Sequence, residues 1–148
     1  MVLVHKFAAF VTMPKRERAL LIEAAAALVR AQVRIKIRPF PAIAAGLGRE
    51  VRDVGLHGQP DRLEETREIA SSVRRAARVL PTKAMCLPRA MALKTMLDRR
   101  AIASVCVVGV RDSREAVGVD AHAWVEVAGE IVIGGDRSRQ YIVLTSYI

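Results

Sequence analysis

The chain has 148 residues, enough for one domain with its own core. Hydrophobic residues make up 52%, which excludes a disordered tail, and aromatics only 4%, so aliphatic side chains and alanine must fill the core. Lys and Arg outnumber Asp and Glu by 24 to 15, for a formal charge of +9. That sign suits an acidic partner (nucleic acid, membrane surface or acidic peptide) or simply a solvated basic surface, because the basic residues are scattered over helical faces. Zinc-finger, P-loop and glycine-rich dinucleotide patterns are absent, so no metal or cofactor is expected. Two thiols, Cys86 and Cys106, do not make a disulfide framework. The most hydrophobic run, Ala19 to Val29, carries Glu23 and is too short to span a bilayer. No secretory signal is visible, and a cytoplasmic, reducing setting is expected.

Residues 1–12 are weakly patterned, with Leu3, Phe7 and Phe10 suggesting a short helix. Thr12 to Glu17 reads as a helix start, with Thr12 as a cap and Pro14 in the first turn. The helix runs to about Ile37. Leu20, Glu23, Ala24, Ala27 and Leu28 are spaced as helical neighbours, and Leu21, Ala25, Val29 and Val33 broaden the apolar stripe. Pro39 and Pro41 end it. Phe40, Ile43 and Leu47 form one helical turn closed by Gly46 or Gly48. Residues 48–59 read as a charged loop. Pro60 opens a second helix to about Val79, and residues 81–83 link it to a third, from Cys86 to about Arg99. A buried strand then covers Ile102 to Val110, and a polar loop covers Arg111 to Val119. Asp120 to Val127 alternates as a strand. Ala128-Gly129 makes a tight turn into Glu130 to Ile133, and Gly134 and Gly135 break that strand. Arg139 to Tyr147 is the last strand. Helices first and an antiparallel sheet last is an α+β order.

The chemistry concentrates at two places. Pro88 belongs in a helix's first turn, which sets Cys86 at or just before the first helical residue. Free N–H groups and the positive end of the helix dipole favour the thiolate, the nucleophilic form of cysteine. The ordinary alternative is a small buried hydrophobe, and that is the reading preferred for Cys106, mid-strand among valines. Met91, Ala92 and Met96 leave the cysteine helix apolar nearly all round, so it should be central and buried. On the strand, His122, Trp124 and Glu126 share one face, and Ala121, Ala123, Val125 and Val127 share the other. His122 and Trp124 are expected to lie against the cysteine helix. Cysteine on a helix start and histidine on a strand are the parts of a thiol hydrolase, against the alternative of a satisfied core histidine. A base needs an orienter. A two-residue turn at 128–129 pairs Val127 with Glu130 and sets His122 opposite Gly135, with Asp136 the nearest acid. Glu126 sits two pleats away, and Asp120 beside His122 is a weaker candidate. His5 and His57 are assigned no role.

The string Cys-Leu-Pro-Arg-Ala-Met-Ala-Leu from Cys86, the strand Val107 to Arg111 and the string Ala121-His122-Ala123-Trp124-Val125-Glu126-Val127 together resemble the peptidase part of the lasso-peptide biosynthesis B protein. That family belongs to the transglutaminase-like cysteine peptidases. Pro14 to Arg18 and Arg38-Pro39-Phe40 are similar to it too, so the resemblance covers nearly the whole chain. It implies a transglutaminase-like, papain-like α+β fold, with the cysteine helix packed on the C-terminal antiparallel sheet. It implies a single domain over 1–148, with a helical part over 1–59 and a catalytic core over 60–148. The activity implied is removal of the leader peptide from a ribosomally made precursor, before a separate ATP-using lasso cyclase closes the macrolactam. Its nucleophile maps to Cys86 and its base to His122. Its aspartate falls near Gly134 to Asp136, where a register shift or bulge brings Asp136 into place; without that, the site is a Cys–His dyad. The peptidase part takes up all 148 residues, so the expectation is a split system served by a separate leader-recognition protein. Competing readings are an acyltransferase on the same scaffold and a non-catalytic adaptor presenting the precursor to the cyclase, with Gly134 and Gly135 as signs of decay. Nucleic-acid binding ranks last, for want of an aromatic platform or arginine stripe.

Overall fold

The computed structural model describes residues 10–51, 58–80, 86–112 and 119–148; the side chains of residues 112, 119, 136 and 137 lie outside that description. Helix α1 (Lys15–Ile37) starts after Pro14, whose extended backbone takes the cap position without any side-chain cap bond, so the cap falls two residues later than Thr12. Its end is set by Pro39, which holds Arg38 extended. The short α2 (Phe40–Ala45) closes on Gly46, with Ile43 and Leu47 buried beneath it. A 3₁₀ turn at Pro60–Arg62 leads into α3 (Leu63–Val79), and α4 (Cys86–Asp98) follows.

The sheet has five strands: β1 (Glu50–Val51), β2 (Val105–Asp112), β3 (Val119–Val127), β4 (Glu130–Ile133) and β5 (Ile142–Tyr147). Their order is β1-β5-β2-β3-β4, and all neighbours are antiparallel. β1 is a two-residue strand inside the stretch read as a loop, and residues 52–57 of that loop lie outside the described residues. The expected helix at 1–12, apart from residues 10–12, falls outside them as well, as do His5, His57, the linker at 81–83 and most of the loop after β2. Ala128 and Gly129 both take positive φ, 50° and 80°, the geometry of a two-residue hairpin turn. A 3₁₀ helix over Gly135–Gln140 replaces the start expected for the last strand.

α4 is the hub. It packs against α1, α3 and β3, and Ala90, Met91, Leu93, Met96 and Leu97 on several of its faces are at most 4% exposed. Even Lys94 is buried, its ammonium satisfied by Asp98 at 2.5 Å. From α1 the core takes Ala24, Ala27, Leu28 and Ala31. Val29 and Val33, expected to widen that stripe, are instead 47% and 49% exposed, because the turn of the helix carries them off the side that meets α3 and α4. Arg100, just beyond α4, donates from both terminal nitrogens to Glu23 of α1, at 3.1 and 2.6 Å. That fork holds the Glu23 carboxyl below its ordinary value: the Arg100 hydrogen bond outweighs the opposing effect of burial.

Candidate active site at the start of the central helix

Cys86 is the first residue of α4, with Pro88 in the same turn, as the spacing predicts. Its thiol is half-buried. Sγ donates to the Ala121 carbonyl at 3.8 Å, so the helix tip meets β3 at the peptide joining Ala121 to His122. Among the described residues no hydrogen bond joins Sγ to the imidazole. Cys106 contrasts with it. That thiol is fully enclosed between valines, and burial pushes it up to about 12, away from thiolate chemistry at neutral pH.

The structure corrects one expectation about β3. Ala123, Val125 and Val127 share the main core with α4, whereas Trp124 packs with Val105 and Val107 in a second cluster, joined by Tyr141 and Ile148. His122 therefore belongs with Trp124 on the side of the sheet turned away from the helices. The reason is hydrophobic: the uniformly apolar set must take the buried face, and the polar-tipped set takes the other.

On that far face His122 is tightly held. Nε2 donates to the Gly134 carbonyl at 2.7 Å. A carbonyl only accepts, so the proton sits on Nε2 and the lone pair of the neutral ring is on Nδ1. The ring stacks on Trp124, with centroids 5.9 Å apart, and on Tyr141 at 4.9 Å. Gly109, paired with His122 across the ladder, makes room: a Cβ there would sit 2.9 Å from both Trp124 and Tyr141 atoms.

The orienting group is thus a backbone carbonyl. Gly134 has φ +81°, and a Cβ on it would lie 2.6 Å from the Ala123 oxygen, so only glycine brings its carbonyl here without strain and overlap. Of the acids considered, Glu126 accepts the Trp124 Nε1–H at 2.7 Å instead. Asp120 binds Arg111 and the Tyr141 hydroxyl, each at 2.9 Å. The β3–β4 ladder is bulged: Val127 pairs with Glu130 as counted, but Val125 pairs with Ile133. Counted onward past the last pair, the bulge sets position 136 rather than 135 opposite His122. The backbone there already turns in the 3₁₀ helix, and the Asp136 side chain lies outside the described residues. Tyr141, Arg111 and the Gly134 carbonyl are the participants that sequence reasoning missed; the aromatic just before β5 was the available signal.

A thiol on the first turn of a central helix that meets a histidine-bearing strand, with the imidazole oriented by a backbone carbonyl, supplies the residue types of a thiol-dependent hydrolase or acyl transferase. A family model described as the transglutaminase-like superfamily matches residues 25–146, and the chain belongs to that superfamily. Its members are usually cysteine-dependent enzymes. No curated protein and no solved structure matches the chain. Among the described residues no helix is long and apolar enough to cross a membrane.

Proposed function

We propose that the chain is a cysteine peptidase that removes the leader from a ribosomally made lasso-type precursor before macrolactam closure. The observation that supports the chemistry is that the Cys86 thiol at the tip of α4 meets β3 at the Ala121 carbonyl, one residue from a histidine held in its Nε2–H form by the Gly134 carbonyl. The choice of substrate rests on the Cys86–Leu93 and Ala121–Val127 strings and their likeness to the lasso B peptidases.

In this reading the Cys86 thiol, which rests on the Ala121 carbonyl, gives its proton to His122 Nδ1 in the substrate complex, where thiol and ring come together. The thiolate attacks the scissile carbonyl, forming an oxyanion held by the free N–H groups of the first turn of α4. His122 returns the proton to the leaving amine, and water then hydrolyses the thioester and frees the leader acid. The Gly134 carbonyl orients the imidazolium as a dipole rather than a full charge, and Asp136 is the candidate for an added charge. The leader reaches the site with a separate recognition protein, and the lasso cyclase takes the freed core; all three act in the cytoplasm. Gly134 argues against the adaptor reading, because a glycine required by φ and by contact distance is a built part of the site rather than a trace of decay.

The test is mass spectrometry of a precursor peptide incubated with the leader-recognition partner and either wild type or Cys86→Ala. Cleavage at one site by wild type alone is the expected result. Full cleavage by Cys86→Ala sinks the assignment, and amine adducts in place of the free acid would identify an acyltransferase.

A further inference from the structure

Tyr141 stacks on the His122 ring and binds Asp120 by its hydroxyl, and we infer that it is a positioning residue for the base, tethered to a charged pair. This rests on the peptidase reading above. Tyr141 stands at the exit of the 3₁₀ helix, just before β5. Its ring lies 4.9 Å from the imidazole at 26° between planes, a close offset stack. Its hydroxyl donates to Asp120 Oδ2 at 2.9 Å. Arg111 donates to the same oxygen from Nε, also at 2.9 Å, and from Nη1 to the Gln140 side chain at 2.7 Å. The guanidinium carbon in addition sits 5.2 Å from the Tyr141 ring centre. The phenol is therefore fixed at its tip by a charge-assisted bond and along its face by a cation, and a ring fixed in this way fixes the ring stacked on it.

This arrangement answers a need that the rest of the site leaves open. The Gly134 carbonyl holds one corner of the imidazole and leaves rotation about the Nε2···O line free. The stacks on Trp124 and Tyr141 remove that rotation. Trp124 is itself anchored by Glu126, so each of the two flanking rings is tied to a carboxylate. Asp120 thus serves the base at second hand, through Tyr141. Among the described residues the charged groups bound to the ring cluster are Asp120 and Glu126 on β3 and Arg111 on β2.

Tyr141→Phe keeps the ring and removes only the tether, so it tests the inference without threatening the fold. Its kcat should fall about 3- to 10-fold at unchanged KM, the rate equivalent of the net worth of one ordinary hydrogen bond, since the tether acts on the base only through the stacked ring. Asp120→Asn should do the same, and the double variant should be no worse than the worse single one. Tyr141→Leu should lower kcat on the order of a hundred-fold, as for a misplaced base. A second readout needs no peptide: the pH profile of Cys86 alkylation by iodoacetamide, compared among wild type, Tyr141→Phe, Tyr141→Leu and His122→Ala. Profiles of the Tyr141 variants displaced toward that of His122→Ala support the inference. A displaced His122→Ala with wild-type behaviour in both Tyr141 variants overturns it and leaves the peptidase reading standing. A His122→Ala profile identical to wild type overturns both.

Discussion

The two faces of the same sheet have opposite characters. Toward the helices β2 and β3 present Cys106, Val108, Ala123, Val125 and Val127, all in the main core. Away from them they present Arg111, Asp120, His122, Trp124 and Glu126, linked by directed hydrogen bonds and ring stacks. The first face is held by area alone, which is additive and tolerant of shape-preserving change. The second is held by distances and angles, where a small displacement breaks a specific bond. Within one strand, successive residues therefore answer to different physics, one set filling the core and the other orienting the His122 ring.

Substitutions that separate stability from chemistry test this division. Leu93→Ala on α4, fully buried in wild type, should cost about 2–5 kcal/mol in denaturant unfolding, through lost transfer energy and the cavity left behind. Below its melting point it should still alkylate at Cys86 at the wild-type rate. Gly134→Ala should strike the chemistry as well as the fold: precursor cleavage falling on the order of a hundred-fold in the folded protein, because the carbonyl that orients His122 is displaced. Wild-type cleavage by that variant would show that the base does not depend on Gly134. Glu23→Gln weakens the fork to Arg100 and should cost about 1–2 kcal/mol at pH 7 by the worth of charged hydrogen bonds. Because the Glu23 carboxyl is held below its ordinary value, its contribution is present above the unfolded-state glutamate value near 4.3 and fades as pH drops through the lower folded one. Melting curves of the two proteins should thus converge in acid; a gap that persists there would mean that the lost stability is packing. Smallest is Cys106→Val, which should change stability by less than about 1.5 kcal/mol. It should leave the labelling of native protein unaltered, because only Cys86 is both accessible and chemically able to react.

The helices and the hairpin are legible in the sequence because each has a local cause: Pro14 and Pro88 at helix starts, Pro39 at an end, Ala128-Gly129 at a turn. The core membership of α4 follows from its apolar residues on every side. Which face of β3 meets the helices is also legible, since alternation divides it into a wholly apolar set and one containing His122 and Glu126; assigning His122 to the helix side sets the expected chemistry above that signal. Three features have no local signature. A two-residue β1 is too short to show a period. The bulge between Val125 and Glu126 depends on how β4 settles against its neighbour. And the acceptor that orients His122 is a main-chain oxygen, which every residue carries, so nothing in the identity of Gly134 announces it apart from its freedom to take a positive φ.

The order of strands bears on how the chain assembles over time. β5, the last in sequence, is inserted between β1 and β2, and Glu50 pairs with Tyr147. The centre of the sheet therefore cannot close until almost the whole chain is available, and Tyr141 reaches His122 only in that same late event. Contacts of such long range slow folding, since loop-closure entropy is lost before they reward it. A growing chain on the ribosome thus carries its Cys86 helix well before β5 is made, and on the peptidase reading activity should arrive at once, when β5 docks, rather than by degrees.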